Sequence, residues 1–258
     1  MTRGARAKDS RLPPPLPPEQ RTVGQLVGEA IRLYGARFWR GLALGVPVVA
    51  VNGLVWGAPS GNWRFLVVPV AALLISVSYV AAAALVTGAP LRSRHALVAY
   101  VTAVVVFVPF PFLAAIYVLP GLVWLALVGL AVPAALVEGL GLRAALVRGY
   151  RLARADFVHV LGGLATLALV VFLTQFALYF VLREYADNTR LVAAALASLV
   201  VSPLVFLGAA ILYGDQEARL RSQGEAPRRK ERDADVPDVD DADGEGSPDA
   251  PRQSRTSA

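Results

Sequence analysis

The chain contains no cysteine and only two histidines among its 258 residues. The lack of cysteine excludes disulfide bonds and thiolate metal sites. His95 and His159 belong to no His-x-x-x-His or Glu-x-x-His pattern, so the sequence predicts no metal site and no cofactor. It also lacks a Gly-x-Ser-x-Gly elbow and a glycine-rich phosphate-binding loop, so we predict that the protein is not an enzyme.

Charge is scarce between residues 41 and 213, which hold nine arginines and four acidic residues. A membrane-spanning helix needs about 20 mostly apolar residues, and six stretches of this region satisfy that requirement. The pattern predicts an all-α fold, a polytopic membrane bundle of six transmembrane helices. The predicted spans lie near residues 41–58, 65–87, 96–115, 118–137, 157–182 and 191–213.

The uncharged run 96–137 decides whether the chain has five spans or six. A single helix over these roughly 42 residues would be about 63 Å long, twice the thickness of a hydrocarbon core of about 30 Å. Pro109, Pro111 and Pro120 lie near its middle, and proline interrupts a helix. We therefore predict that the chain reverses its direction between residues 109 and 121.

With six spans, all clusters of basic residues fall on one side of the membrane. The positive-inside rule makes this side the cytoplasm, so we predict a plasma-membrane protein with both termini cytoplasmic. The arginines at the span ends are explained by anionic lipid headgroups, so nucleic acid is not an expected partner. The clusters are Arg32, Arg37 and Arg40; Arg92, Arg94 and His95; Arg143, Arg148, Arg151 and Arg154; and Arg219 and Arg221.

Two segments, 22–40 and 140–155, have the pattern of amphipathic helices that lie in the membrane interface on the cytoplasmic side. Thr22 followed by Gln25 matches a capping box at the start of the first segment. Together with the six spans, the sequence thus predicts two cytoplasmic interfacial helices.

The same two segments resemble each other at an offset of 119 residues. Arg32-Leu33 matches Arg151-Leu152, and Phe38 matches Phe157. The match predicts a parallel repeat, in which each copy is an interfacial helix followed by two spans. Chance similarity is the alternative, because the composition is strongly biased.

Both ends of the chain differ in composition from the membrane domain, which we place at residues 22–222. Residues 1–21 are basic and proline-rich and lack the apolar run of a secretory signal. Residues 223–258 are rich in acidic residues, proline, glycine and serine. We predict that both end segments are disordered, and that the acidic tail is available to a protein partner.

Acidic and basic side chains near the predicted cytoplasmic ends form the one candidate site. One hypothesis is that the acids pair with arginines and fix the interfacial helices; the other is a site for a cationic or headgroup ligand. The candidate residues are Glu29, Arg32, Glu138, Arg148 and Asp215.

Polar side chains within the spans are few and uncharged. They either bind a neutral solute or form hydrogen bonds between neighbouring helices. A continuous polar cavity lined by these residues would favour transport, and a dry bundle would favour a structural module. The residues concerned are Asn52, Thr102, Thr174 and Gln175.

Three sequence patches carry a resemblance to a known family: Val23 to Tyr34 with Phe38, Val132 to Arg148, and Leu212 to Asp215 with Arg219. In this order they resemble a prokaryotic, often actinobacterial, six-span family labelled the glycerophosphoryl diester phosphodiesterase membrane domain. Gly214 and Gln216 depart from the family's usual Tyr-Tyr-Asp-x-Arg ending. The resemblance implies a membrane module without the hydrolase, because a catalytic barrel needs about 200–250 residues.

Three functions fit the sequence. The first is a non-catalytic membrane scaffold or accessory module, favoured because ionisable groups inside spans, the usual functional markers, are missing. The alternative is a transporter or export component for a neutral or lipid-like molecule. The third is an intramembrane enzyme, for which the sequence offers no pair of nucleophile and base.

Overall fold

The protein is described from a computed structural model, which covers the backbone of residues 17–57, 63–91 and 94–234. Of the two predicted disordered segments, 1–21 and 223–258, residues 1–16 and 235–258 therefore lie outside the described residues. Within the described ranges the chain forms helices and turns and no strand, which confirms the all-α prediction. The helices are α1 (Val23–Ala36), α2 (Phe38–Ala43), α3 (Val46–Gly57), α4 (Trp63–Thr87), α5 (Arg94–Phe107), α6 (Phe110–Ile116), α7 (Val118–Val128), α8 (Ala131–Glu138), α9 (Leu142–Ala155), α10 (Phe157–Val181) and α11 (Asp187–Ala234).

Six helical segments are long and apolar enough to cross a membrane, as predicted. The first joins α2 and α3, the third joins α5 and part of α6, and the fourth joins α7 and α8. The other three are single helices. The segments are Phe38–Gly57, Val67–Thr87, Arg94–Ala114, Val118–Glu138, Phe157–Val181 and Asp187–Gln223.

The last helix differs most from its predicted limits. The predicted span 191–213 lies inside α11, which begins at Asp187 and continues to Ala234. Residues 223–234, predicted to be disordered, are therefore helical. The chain divides after Leu220 into two compact units, Met1–Leu220 and Arg221–Ala258. Hydropathy locates the apolar part of a helix and carries no information on how far its polar continuation runs.

The reversal predicted within 109–121 is present. Tyr117 has an extended backbone, with φ −155° and ψ 152°, between α6 and α7. Two further breaks interrupt the third and fourth segments, at Val108-Pro109 and at Gly129-Leu130. Residues 94–138 therefore form two membrane segments, as predicted from the excessive length of a single helix.

Side chains of neighbouring helices bind the carbonyl groups that these breaks release. Pro133 has no N–H group for the Gly129 carbonyl four residues earlier. The Tyr79 hydroxyl donates to this oxygen at 3.1 Å, beside the Val132 amide at 3.3 Å. The Trp124 indole likewise donates to the Val106 carbonyl, next to the break at Pro109, at 2.8 Å. Such bonds are needed because a membrane interior offers no water to a free carbonyl.

The predicted repeat has a structural counterpart in α1 and α9. Both helices have 14 residues, and Leu142 follows Val23 by 119 positions, the offset of the sequence match. Each helix ends at a residue with a non-helical backbone, Arg37 (φ −130°, ψ 44°) or Asp156 (φ −151°, ψ 75°), after which the next helix begins at once. We call α1-Arg37-α2 the first elbow and α9-Asp156-α10 the second elbow.

The apolar faces of α1 and α9 pack against the bundle. The Thr22 capping box is present, with both of its hydrogen bonds to and from Gln25. Helix α1 contacts α2 and α10, whereas α9 contacts α5, α7, α8 and α10. Their location in a membrane interface stays a prediction. The buried residues correspond at the same offset: Leu26, Ala30 and Tyr34 in α1 with Ala145, Gly149 and Ala153 in α9.

The core is built largely from alanine and other small residues, which allow the helices to approach closely. Helices α8 and α9 approach each other closely, because a Cβ atom added to Gly149 would lie 2.4 Å from the Ala131 nitrogen. Fully buried alanines occur in α4, α5, α7 and α8. They are Ala82, Ala83, Ala99, Ala103, Ala126, Ala131, Ala134 and Ala135.

Candidate functional site

Within residues 17–220, the described arginine clusters lie at one end of the bundle, which we call the arginine end. Arg37 donates to the Leu85 carbonyl at 2.9 Å and so connects the first and second segments there. The His95 ring lies against Gly139, whose φ of 66° and close contact leave no room for a side chain. The other connections at this end are ion pairs and hydrogen bonds of acidic side chains.

Glu29 and Arg32 form a local ion pair on α1. The Arg32 Nη2 atom donates to the Glu29 Oε1 atom at 2.7 Å, over three residues of one helix. This hydrogen bond, together with the charge of Glu29, raises the pKa of Arg32. The guanidinium is largely exposed, so the pair contributes little to the fold.

Glu138 and Arg148 form a second pair, which connects three helices. The Arg148 Nε atom donates to both Glu138 oxygens, at 2.9 and 3.1 Å. The Tyr213 hydroxyl donates to Glu138 Oε1 at 3.0 Å. A carboxylate at the end of α8 therefore holds α9 and α11 at the same point.

Asp215 pairs with Arg21, a residue that was not among the candidates. The Arg21 Nη1 atom donates to Asp215 Oδ1 at 2.7 Å, and the Asp215 side chain is only 1% exposed. Its second oxygen and both amide atoms of the neighbouring Gln216 are buried without a hydrogen-bond partner among the described residues. A buried polar group without a partner costs about 1–3 kcal/mol, so these polar atoms of Asp215 and Gln216 lower the stability of the fold.

Asp156 and Arg219 complete the site and were missed by sequence reasoning. Asp156 caps α10, since its Oδ1 atom accepts from the His159 amide at 3.1 Å, and its Oδ2 atom pairs with the Arg219 guanidinium. Arg219 also donates to the Arg21 carbonyl at 2.9 Å. We call Arg21, Asp156, Asp215 and Arg219 the polar latch.

One local signal in the sequence could have identified Asp156. An aspartate directly before a long apolar run is a helix N-cap signal. Its partner Arg219 lies 63 residues away, on a helix that continues beyond the predicted end of its span. The five predicted residues thus belong to three separate pairs, one of which is completed by Arg21. The latch includes one of the five, Asp215.

The polar side chains within the spans do not form one continuous set. The amides of Asn52 and Gln175 both donate to the Ser198 hydroxyl, each at 2.9 Å, and so connect α3, α10 and α11. Thr102 and Thr174 donate to carbonyls of their own helices, four residues earlier. Only two of the four proposed cavity-lining residues come together, and they meet in a contact between helices.

Three cavities are relevant to ligand binding. A groove of about 620 Å³ lies between α10 and α11, at the end of the bundle opposite the arginine end. Gln175 and Arg190 are among its lining residues. A second groove of about 520 Å³ lies between the first elbow and α4. The third is a small apolar cavity of about 50 Å³ beside Tyr79 and Phe107.

Catalytic or metal chemistry gains no support from this arrangement. Within the described parts of the chain, no group of three or more His, Asp or Glu side chains could hold a metal ion. The His159 ring lies 3.4 Å from the Arg219 guanidinium, which places it beside the latch. What the site can do chemically is hold charged helix ends together.

Comparison with protein-family models, curated proteins and solved structures gives no match to this chain. The resemblance to the glycerophosphoryl diester phosphodiesterase membrane domain therefore stays a prediction.

Proposed function

We propose that the protein is a non-catalytic membrane module, a scaffold or accessory subunit that presents its arginine end to a partner. One observation carries this proposal: Glu138, Arg148 and the latch residues at this end are used in contacts between separate segments of the chain. Glu138 holds α9 and α11, and the latch holds the N-terminal segment and the start of α10 to α11. Side chains engaged in this way serve architecture, and the resemblance to a family of membrane domains agrees with that role.

The same proposal includes location and orientation. The protein lies in the plasma membrane with both termini in the cytoplasm, since the positive-inside rule applies to an end that collects the arginine clusters. The bilayer and its anionic headgroups are the surroundings of this end. A reporter fused after Ala258 should be active on the cytoplasmic side, and a reporter active only outside the cell would contradict the orientation.

The acidic tail is the segment that we expect a protein partner to bind. We would purify the tagged chain from native membranes in full length and ending at Ser222, which keeps the latch residue Arg219. A third variant would keep the length of the tail and replace the acids between residues 233 and 245 by their amides. A partner that copurifies with the full chain and is lost from both variants supports the proposal.

Transport of a neutral or lipid-like molecule is the second candidate, and one observation favours it. The groove of about 620 Å³ between α10 and α11 reaches Gln175, a polar residue inside a span. A deletion strain with a defect in lipid or metabolite export, restored by the wild-type gene and not by a Gln175→Leu variant, would favour transport. The same strain without any copurifying partner would contradict the scaffold function.

A further inference from the structure

The groove beside the first elbow combines a basic mouth with an apolar floor. It has a volume of about 520 Å³ and lies between the first elbow, the start of α3 and the last turns of α4. Arg37 and Arg40 line one end, and Pro47, Val77 and Ala81 line the other. No acidic residue is among those that line it, so its charge is not neutralised from within.

The two arginines are available to a ligand. Arg37 uses one N–H group for the Leu85 carbonyl and has others left, because a guanidinium carries five N–H donors. Arg40 is exposed and makes no hydrogen bond or ion pair with another described residue. Free guanidinium groups beside an apolar groove are the partners that a phosphate with attached acyl chains requires.

Aromatic residues beside these arginines indicate the depth of the groove in the bilayer. Trp39 is 78% exposed and Phe38 is 43% exposed, although both belong to the first membrane segment. Tryptophan is enriched at the level of the lipid headgroups. The mouth of the groove is thus at headgroup level, and its floor continues along the acyl chains.

The second elbow shows that this arrangement is not a general property of the repeat. The positions that correspond to Arg37 and Arg40, at the offset of 119, are Asp156 and His159. Asp156 is already paired with Arg219 in the latch. The basic pair and the open groove occur together in the first elbow only.

We propose that the groove beside the first elbow is a binding site for an anionic phospholipid. Arg37 and Arg40 bind the phosphate, and an acyl chain lies along Pro47, Val77 and Ala81. The site requires only that the chain spans a membrane, so it holds for a scaffold and for a transporter alike.

The proposal is tested on the full-length protein by native mass spectrometry with phosphatidylglycerol and phosphatidylcholine as probes. The wild-type chain should retain phosphatidylglycerol in preference to phosphatidylcholine. Each arginine near a membrane surface contributes roughly a fivefold gain in affinity for anionic lipid, so the double variant Arg37→Gln/Arg40→Gln should bind phosphatidylglycerol about thirtyfold more weakly. Equal retention of the two lipids by the wild-type chain would overturn the proposal.

A matched variant separates this site from general attraction to charge. Arg151→Gln/Arg154→Gln removes the same charge from exposed positions of the second elbow and should change binding less than twofold. Equal losses in both double variants would overturn the proposal, since they would mean a diffuse effect of net charge. Ala81→Phe fills the groove and keeps both arginines; it should also abolish preferential retention, and retention unchanged in this variant would overturn the acyl-chain contact.

Folding of the variants is measured in the same detergent by thermal unfolding. Should Arg37→Gln/Arg40→Gln not fold, Arg40→Gln alone decides, because Arg40 makes no hydrogen bond or ion pair with another described side chain. Its loss should still weaken the binding of phosphatidylglycerol about fivefold. Inorganic phosphate at millimolar concentration should leave lipid retention unchanged. Full displacement of the lipid by phosphate would mean an anion site without a lipid component and would overturn the proposal.

Discussion

The first and second elbows share a backbone and differ in charge. In each, a helix of 14 residues ends at a non-helical residue and a membrane segment begins at the next position. In the first elbow this residue is Arg37, which faces an open groove, and in the second it is Asp156, which caps α10 and pairs with Arg219. The same turn of the chain therefore carries an exposed basic residue in the first copy and an ion-paired acidic residue in the second.

This difference shows how a repeated element acquires two roles. Nothing in the shape of an elbow requires a particular charge, because the residue at the turn is exposed in the first copy and partly exposed in the second. The neighbouring helix decides: α11 brings Arg219 to the second elbow, whereas α4 brings only a carbonyl group, that of Leu85, to Arg37. A stabilising role for the second elbow and a binding role for the first follow from these neighbours.

The largest effect that separates the elbows is expected for Arg219→Gln. The variant leaves Asp156 without its charged partner and removes the bond to the Arg21 carbonyl. Breaking a fully buried pair costs about 3–5 kcal/mol; because the Asp156 side chain is 32% exposed, we expect a loss of about 2 kcal/mol in the free energy of unfolding. Denaturant unfolding in detergent, followed by circular dichroism, measures the change.

Arg40→Gln is the control for the latch. It removes an arginine from the same end of the bundle and, in detergent without phospholipid, should leave the unfolding midpoint unchanged. If both substitutions lowered stability by the same amount, the contrast between a latched and an open elbow would be wrong.

Intermediate effects are expected where the two elbow helices pack differently. Gly149 corresponds to Ala30, but Gly149 lies against the Ala131 backbone and has no room for a methyl group. Gly149→Ala should destabilise the protein by about 1 kcal/mol, because about 2 kcal/mol of overpacking outweighs the gain of about 1 kcal/mol in helix propensity. The change is measured by the same unfolding experiment.

Gly28→Ala is the matched substitution in the first elbow. An added Cβ atom meets nothing within 4 Å at Gly28, so the variant should be as stable as the wild type or more stable, by up to about 1 kcal/mol. The two glycines should thus differ in the sign of the effect. A loss of stability in both variants would mean that the close approach of α8 and α9 is absent in solution.

Much of the fold followed from simple patterns in the sequence. Six apolar segments, the reversal near Tyr117 and the capping box at Thr22 agree with the structure, because each depends on residues that are close together in the chain. The repeat predicted from the offset of 119 residues agrees with α1 and α9, which have equal length and begin 119 positions apart. Local signals of this kind are read directly, since hydropathy, proline and capping act within one or two helical turns.

The candidate site was predicted only in part, for a physical reason. Glu29 with Arg32 is a pair within one helix, whereas Asp215 with Arg21 joins residues 194 positions apart. An acidic residue in the sequence shows that a basic partner is needed. It does not show which of the many arginines is that partner. Pairs across the bundle depend on helix packing, which periodicity alone does not determine.

The smallest expected effect concerns the start of the two elbow helices. Thr22 caps α1 through its side chain, whereas its counterpart Gly141 caps α9 without one. Gly141 has a backbone of the N-cap type, with φ −68° and ψ 161°, and an added Cβ atom would meet nothing within 4 Å. Gly141→Ser should therefore stabilise the protein by a few tenths of a kcal/mol, roughly the difference between serine and glycine at this position.

Alanine at the same position isolates the contribution of the hydroxyl group. Gly141→Ala adds the same Cβ atom without an acceptor, so it should be less stable than Gly141→Ser by about 1 kcal/mol. Unfolding of the three proteins in one detergent resolves this difference even where the gain over glycine is small. Serine and alanine variants of equal stability would show that α9 begins elsewhere, and the correspondence of the two elbows would then not extend to their first residues.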